Sequence, residues 1–347
     1  MTPHRPSRRS ACRLTRAALA ACTSLLLIAG CGSDGDNNGR ANAAATLLLD
    51  FQPNAVHVGV YQAVARDFTG AEGVRLTIQV PGTGTDAVKL LLSRRAQFAI
   101  LDIHDLAIAR AKGRDLVGVM AIVQKPLAAV IAQANVTRPR DLEGRRVGVT
   151  GLPSDDAVLE SLVRGDGGDP RTVKRTTIGF DAVPAILGGK VSGATAFWNA
   201  EGVALKAKRP GLRIFKVDEF GAPPYPELVL TTTSTLIQDQ PALVRATVAA
   251  LQRGYRESIA DPETAVAALV DAVPGTDRAL TADQLDAVQP TFQSRRGRVG
   301  TLDMKALEDW AVWEQRFGIV DKAPEIALMF APRFAEESAR RATENDG

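Results

Sequence analysis

Side chains that could bind a small planar molecule lie at two places in this chain. Asn54, His57 and Tyr61 come early, and His57 and Tyr61 are spaced to share one face of a helix. Trp198 and Glu201 come much later, at the end of a short β-rich run. An aromatic face can stack on a flat ring, while amides and carboxylates can hydrogen-bond to its polar edge. These residue types suggest a binding site for a small heteroaromatic solute.

Each of these residues also has a structural role that competes with ligand binding. Asn54 follows a proline at a strand-to-helix junction, where it could simply cap the helix. His57 and Tyr61 could pack together against a sheet. Trp198 could belong to the core, and Glu201 could be a solvated carboxylate at the start of a helix. The residues alone leave both interpretations open.

The chain has few cysteine and histidine residues that could support catalysis or bind a metal. The cysteines are Cys12, Cys22 and Cys31, so no later thiol can form a disulfide, a thiolate metal site or a nucleophile. Beyond the first few residues the imidazoles are His57 and His104, which argues against a histidine-rich zinc site. We therefore expect a binding protein with no cofactor and no metal, and not an enzyme.

Further candidates follow predicted strands, because ligands of open α/β sheets bind at the carboxyl ends of strands. Thr83 lies in a Gly-rich turn, and Asp102 ends a strand. Ser154 and Asp155 follow a second turn, and neither turn has the spacing of a P-loop or a dinucleotide-binding motif. Tyr225, in the string Pro-Pro-Tyr-Pro, is expected to close over the ligand.

The elements that must position these residues alternate along the chain. Short β-rich runs and amphipathic helical stretches follow one another, which is typical of mainly parallel sheets flanked by helices. We predict two α/β lobes joined by crossovers near Ala132 and Thr231, with the ligand cleft between them. Lobe I takes residues 46–132 and 232–347, and lobe II takes 133–231. Hinge closure around the solute is the expected motion.

The N-terminal residues have the pattern of an export signal. A basic stretch without acidic residues precedes an apolar run that is too short to span a bilayer. The run ends in Leu-Ile-Ala-Gly-Cys at Cys31, which resembles the bacterial lipobox and implies cleavage after residue 30 and lipidation of Cys31. Residues 31–45 read as a flexible tether. We expect an extracytoplasmic protein held on the cell membrane by two acyl chains.

Net charge argues against a nucleic acid as partner. The chain has 42 Lys and Arg against 39 Asp and Glu, and removing the five arginines of the signal leaves 37 against 39. The remaining chain is slightly acidic and has no obvious basic stripe.

One string carries most of the resemblance to a known family. Leu49–Tyr61 matches an L-D-x-x-P-N-x-x-H-x-G-x-Y pattern and resembles the opening of the thiamine-pyrimidine precursor-binding proteins. Val183–Val191 and Ala196–Glu201 look like the same family's second-lobe helix and W-N-x-E ending. Pro139–Val149 is shared with the wider group of sulfonate, nitrate and pyrimidine binders.

The resemblance implies the type II two-lobed periplasmic-binding-protein fold and the role of solute-binding subunit in an ABC importer. The expected partners are a permease, an ATPase and a thiamine pyrimidine precursor; a sulfonate, riboflavin or another vitamin-like solute is the alternative ligand. A fungal pyrimidine synthase with a similar Pro-Asn-x-x-His start is a remote alternative. That enzyme carries a cysteine cluster and a pyridoxal phosphate lysine, whereas here no cysteine follows Cys31 and no lysine precedes Lys89.

Overall fold

The computed structural model describes residues 43–81 and 86–345. Cys31, Thr83 and the export signal lie outside these residues. Ten strands are present in the described part: β1 Ala43–Leu48, β2 Val74–Gln79, β3 Phe98–Asp102, β4 Val117–Ala121, β5 Ala128–Ala132, β6 Arg146–Val149, β7 Lys174–Thr177, β8 Gly193–Phe197, β9 Arg213–Lys216 and β10 Leu228–Thr232.

The strands form two five-stranded sheets. The first has the order β2-β1-β3-β10-β4 and the second the order β7-β6-β8-β5-β9. β1 pairs in parallel with β2 and β3, and β6 pairs in parallel with β7 and β8. β10 and β5 run antiparallel to both of their neighbours. The predicted α/β fold with two parallel-rich sheets is confirmed.

Both crossings between the sheets come earlier in the chain than we expected. β5 belongs to the second sheet and β10 to the first, so the chain crosses at residues 122–127 and 217–227 rather than near Ala132 and Thr231. β5 and β10 are buried along their whole length. A strand that is apolar on both faces carries no periodic signal for the sheet it joins. The two lobes as separate domains stay a prediction.

Helices cover the faces of the sheets, as is required for strands that are buried on both faces. They are α1 Val58–Ala65, α2 Phe68–Ala71, α3 Asp86–Leu92, α4 Ile103–Ala111, α5 Pro153–Gly165, α6 Ala182–Leu187, α7 Val203–Lys208, α8 Ser234–Asp239, α9 Pro241–Ala260, α10 Pro262–Ala272, α11 Arg278–Val288, α12 Met304–Arg316, α13 Ile326–Met329 and α14 Arg333–Asn345. Within the described residues, no helix is long and apolar enough to cross a membrane.

The packing of α9 against α1 fixes the segment that contains Asn54 and His57. A Cβ atom at Gly254 would lie 2.1 Å from the carbonyl oxygen of Gly59, so the two helix backbones come very close. The hydroxyl of Tyr255, on α9, donates to the carbonyl oxygen of Val56 at 2.8 Å. The C-terminal helices thus pack back onto the first sheet, and they hold the start of α1 in place.

Candidate ligand-binding cleft

A cleft of about 710 Å³ lies among the carboxyl ends of strands from both sheets. Asp50 and Asp102 line it from the first sheet, and Thr150 and Thr195 line it from the second. Glu227 reaches it from the second crossing. The volume is within the usual range for small-molecule pockets.

Asp50 presents a carboxylate to the cleft and is held there by His57. The buried His57 ring accepts a hydrogen bond at Nδ1 from the backbone N–H of Asn54, at 3.2 Å. Its proton is therefore on Nε2, which donates to Oδ1 of Asp50 at 2.8 Å. His57 does not line the cleft, and its role is to orient Asp50. Sequence reasoning missed Asp50, although it is the acidic residue of the Leu49–Tyr61 string.

Glu201 also lines the cleft, as expected from the sequence. It lies in a π-helical turn, Trp198–Gly202, and its Oε2 accepts from the backbone N–H of Phe197 at 3.3 Å. Such turns recur at functional sites in proteins. Burial raises the pKa of the Glu201 carboxyl, and the nearby Asp50 charge raises that pKa further. The two carboxyls therefore act on the same part of the cleft and favour a ligand rich in hydrogen-bond donors.

Trp198 lies outside the cleft lining, contrary to the expectation that it stacks on the ligand. Its Nε1 donates to the carbonyl oxygen of Pro126 at 3.0 Å, and the Lys216 ammonium lies 4.0 Å from the ring centroid. Trp198 begins the π-helical turn that follows β8, and Phe197, the last residue of β8, lines the cleft instead.

Two further aromatic side chains close one part of the cleft. Phe51 follows β1 and Phe180 follows β7, so the pair joins the two halves of the site. Their ring centroids are 5.1 Å apart in an edge-to-face arrangement. Phe180 is 48% exposed, which places it where solvent meets the cleft. Phe180 lies in a loop, where no strand or helix pattern in the sequence could predict that its side chain lines the cleft.

Asn54 and Tyr61 have the structural roles that competed with ligand binding. The Asn54 Oδ1 accepts from the backbone N–H of Val56, and its Nδ2 donates to the carbonyl of Gln52, both at 3.0 Å. The amide therefore caps the turn before α1. Tyr61 packs in the core, and burial raises the pKa of its hydroxyl. Neither residue lines the cleft.

Ser154 and Asp155 both line the cleft and are buried. The Asp155 carboxylate accepts from the hydroxyls of Thr150 and Thr195, each at 2.6 Å. It also accepts from two backbone N–H groups of the turn before α5, at 2.8 and 3.0 Å. These four hydrogen bonds occupy most of the acceptor capacity of the Asp155 carboxylate. Its main role is therefore to hold the turn before α5 in place, and not to bind a ligand directly.

A buried charged cluster forms the floor of the cleft. His104 donates from Nδ1 to Glu314, and its Nε2 lies 3.6 Å from Oε1 of Glu227. Although burial alone lowers the pKa of His104, the carboxylates of Glu314 and Asp102 raise it to about 10. Burial raises the pKa of both Asp102 and Glu227. Asp102, His104 and Glu227 line the cleft, while Glu314 lies behind them.

Tyr225 lies behind this floor and does not close over the cleft. It is buried, its hydroxyl is 3.3 Å from Nε2 of His104, and its ring centroid is 5.9 Å from that of Trp313. Its ring packs against Trp310 and Trp313, which holds the second crossing against α12. Of the predicted site residues within the described part, Asp102, Ser154, Asp155 and Glu201 reach the cleft.

Two packed α/β halves with a cleft at their strand ends define the class of periplasmic binding proteins, and solved structures share this fold. The aliphatic sulphonate-binding protein of Escherichia coli superposes with a TM-score of 0.68 at 15% identity, covering 83% of this chain and 92% of that chain. A Candida albicans protein described as having the generic periplasmic binding protein fold has a TM-score of 0.63 at 15% identity, covering 83% and 96%.

The chain belongs to the NMT1/THI5 like family, whose model matches residues 54–265. The formylaminopyrimidine-binding protein of Halalkalibacterium halodurans is 26% identical over 296 residues, which cover 83% of this chain and 90% of that protein. A 4-amino-5-hydroxymethyl-2-methylpyrimidine phosphate synthase of Legionella pneumophila is 25% identical over 234 residues, covering 66% and 73%. This chain is therefore similar both to a binding protein and to a synthase.

Proposed function

We propose that this protein is the extracytoplasmic solute-binding subunit of an ABC importer and that it captures an aminopyrimidine precursor of thiamine. The observation that carries the proposal is the convergence of Asp50 and Glu201 on an aromatic cleft. An aminopyrimidine presents an exocyclic amine beside a ring nitrogen. Carboxylates accept from the amine, and a carboxyl that keeps its proton can donate to the ring nitrogen.

The carboxyl pair favours this ligand over a sulfonate. Asp50 and Glu201 offer acceptors to an amine, whereas a sulfonate beside the Asp50 carboxylate would be repelled. Lys89, Lys112 and Arg114 also line the cleft, so this preference is local to the pair. The rings of Phe51, Phe180 and Phe197 supply apolar surface on which a flat heterocycle can pack. The similarity to a formylaminopyrimidine-binding protein supports the same ligand class.

We also propose that the protein is not an enzyme, despite its synthase relatives. No cysteine follows Cys31 and no lysine precedes Lys89, so the residues expected of the fungal synthase have no counterparts there. The export pattern of residues 1–30 and lipidation at Cys31 belong to the same proposal, as do the permease and ATPase partners. A binding subunit on the outer face of the membrane would deliver its solute to that permease.

Isothermal titration calorimetry tests the proposal directly. The wild type should bind 4-amino-5-hydroxymethyl-2-methylpyrimidine or its formylaminomethyl analogue and should give no heat with an alkanesulfonate. Asp50→Asn removes a charged acceptor, which contributes about 1.5–3 kcal/mol, so affinity should fall roughly 10- to 150-fold. Glu201→Ala removes the second carboxyl together with its hydrogen bond to the ring nitrogen, so it should weaken binding as well. Glu308→Gln, at an exposed carboxylate on α12, is the matched control and should bind like the wild type.

Two results would contradict the proposal. Wild-type affinity in both cleft variants would discard the carboxyl pair as the recognition element. Tight sulfonate binding without heat from either pyrimidine would assign another solute. Incubation with pyridoxal phosphate followed by mass spectrometry addresses catalysis, because a synthase would form a new pyrimidine phosphate and a binding protein would form none.

A further inference from the structure

Three side chains that could bind a metal converge at the cleft floor. One oxygen of Asp102, one ring nitrogen of His104 and one oxygen of Glu227 all lie within 4.8 Å of one another. Asp102 and His104 lie two residues apart where β3 meets α4, and the fold brings Glu227 to them from the second crossing. An imidazole with two carboxylates is a donor set that divalent transition metals accept.

In each of the three side chains, one polar atom is held by a hydrogen bond and a second polar atom remains available to bind a metal. Oδ1 of Asp102 accepts from the backbone N–H of His104 at 2.8 Å, which leaves Oδ2. Oε2 of Glu227 accepts from the backbone N–H groups of Leu127 and Ala128, at 2.6 and 2.9 Å, which leaves Oε1. That Oε1 is fully buried and has no hydrogen-bond partner.

Glu314 orients the imidazole as an outer carboxylate does in metal sites. Nδ1 of His104 donates to Glu314, which fixes the ring and leaves Nε2 on the Glu227 side, where a bound metal would displace the Nε2 proton. Metal-bound histidines commonly donate their other ring N–H to a carboxylate in this way. The neighbour of Nε2, the Tyr225 hydroxyl at 3.3 Å, makes only a long hydrogen bond that a metal could replace.

We propose that Asp102, His104 and Glu227 bind a divalent transition metal ion of the Zn²⁺ class at the cleft floor, with Glu314 as the positioning residue. Zinc–nitrogen and zinc–oxygen bonds of about 2.0–2.2 Å require donors roughly 3.4 Å apart. Nε2 of His104 and Oε1 of Glu227, at 3.6 Å, already have nearly this spacing, and the other donors lie within 4.8 Å, so only small side-chain movements are needed on binding. All three residues line the cleft, which gives the ion a path from solvent and leaves a coordination position open to it.

Co²⁺ and Zn²⁺ binding to the metal-stripped full chain tests the site without any pyrimidine, so its failure would leave the proposed function standing. We expect one ion per chain, a Co²⁺ absorption band in the visible range, and loss of the band on addition of Zn²⁺. A chromophoric chelator in competition gives the affinity. His104→Gln should weaken binding at least 100-fold, and Glu314→Gln should weaken it about 10- to 100-fold with the stoichiometry kept.

Glu308→Gln is the matched control for Glu314→Gln, because Glu308 is an exposed carboxylate on the same helix, α12. It should keep the affinity of the wild type. If thermal melts show that His104→Gln does not fold, Glu227→Gln decides, since its amide oxygen can still accept from the backbone while the second donor is lost. Equal loss in the Glu308 and Glu314 variants, unchanged binding in Glu227→Gln, or no stoichiometric binding by the wild type would overturn the site.

Discussion

Replacement of Gly254 by alanine tests whether the close contact between α1 and α9 holds the cleft segment in place. The added Cβ would lie 2.1 Å from the carbonyl oxygen of Gly59 and 2.9 Å from Cβ of Ala63. Non-bonded heavy atoms prefer about 3.5 Å, so the helices must part by roughly 1 Å. The first of these contacts is with backbone, which cannot rotate away.

The cost of this change can be worked out from opposing terms. Overpacking a buried contact costs about 1–3 kcal/mol, and the rigid backbone places Gly254→Ala at the upper end of that range. Alanine regains about 1 kcal/mol in a helix interior relative to glycine. The net effect is a loss of about 2 kcal/mol in the free energy of unfolding, or a melting temperature roughly 3–6 °C lower.

Thermal and urea unfolding of purified Gly254→Ala measure this loss. Gly211→Ala is the control, because its added Cβ meets only one atom, at 3.8 Å, so stability should stay the same or rise slightly. A Gly254→Ala protein that melts at or above the wild-type temperature would refute the reasoning.

Three further predictions follow from the buried groups and the N-terminal pattern. Trp198→Ala should cost about 3–5 kcal/mol of stability through lost packing and the lost hydrogen bond to Pro126, as measured by urea unfolding; a loss of affinity alone would restore its stacking role. The pKa of His104 rises from 6.5 to about 10 on folding, so its stabilisation is full below pH 6.5 and is lost as pH rises to about 10. Urea unfolding with chelator across that window should show falling stability in the wild type and a flatter profile in His104→Gln. Cys31→Ser should abolish acylation and release the protein from membranes, and unchanged detergent partitioning would contradict the lipobox.

The sequence was most informative where local physics decides the structure. The apolar runs predicted the α/β fold because strands buried on both faces must be apolar. The Leu49–Tyr61 string located one wall of the cleft, and Asn54 caps its helix as the strand-to-helix junction indicated. Glu201 was placed correctly at the cleft because it follows the carboxyl end of β8.

The rest depends on contacts that local patterns do not encode. The strand ends at Phe197, which lines the cleft, and the π-helical turn that begins at Trp198 places that ring outside it. The partner of His104, Glu314, is 210 residues away, so no window of sequence contains the pair. The Leu49–Tyr61 string does not distinguish Asp50, which lines the cleft, from His57, which only orients Asp50. The cleft floor was also missed, since only the assembled fold brings Glu227 to it.

The edge-to-face contact of Phe51 and Phe180 bears on how fast the protein exchanges its solute. The rings meet between the two halves of the site, so this contact must break whenever the halves move apart to admit or release a solute. If that step is slower than diffusion, the observed association rate should level off at high solute concentration instead of rising linearly. A smaller side chain at Phe180 would then speed both entry and release, and it would also weaken binding through the lost packing on the ligand.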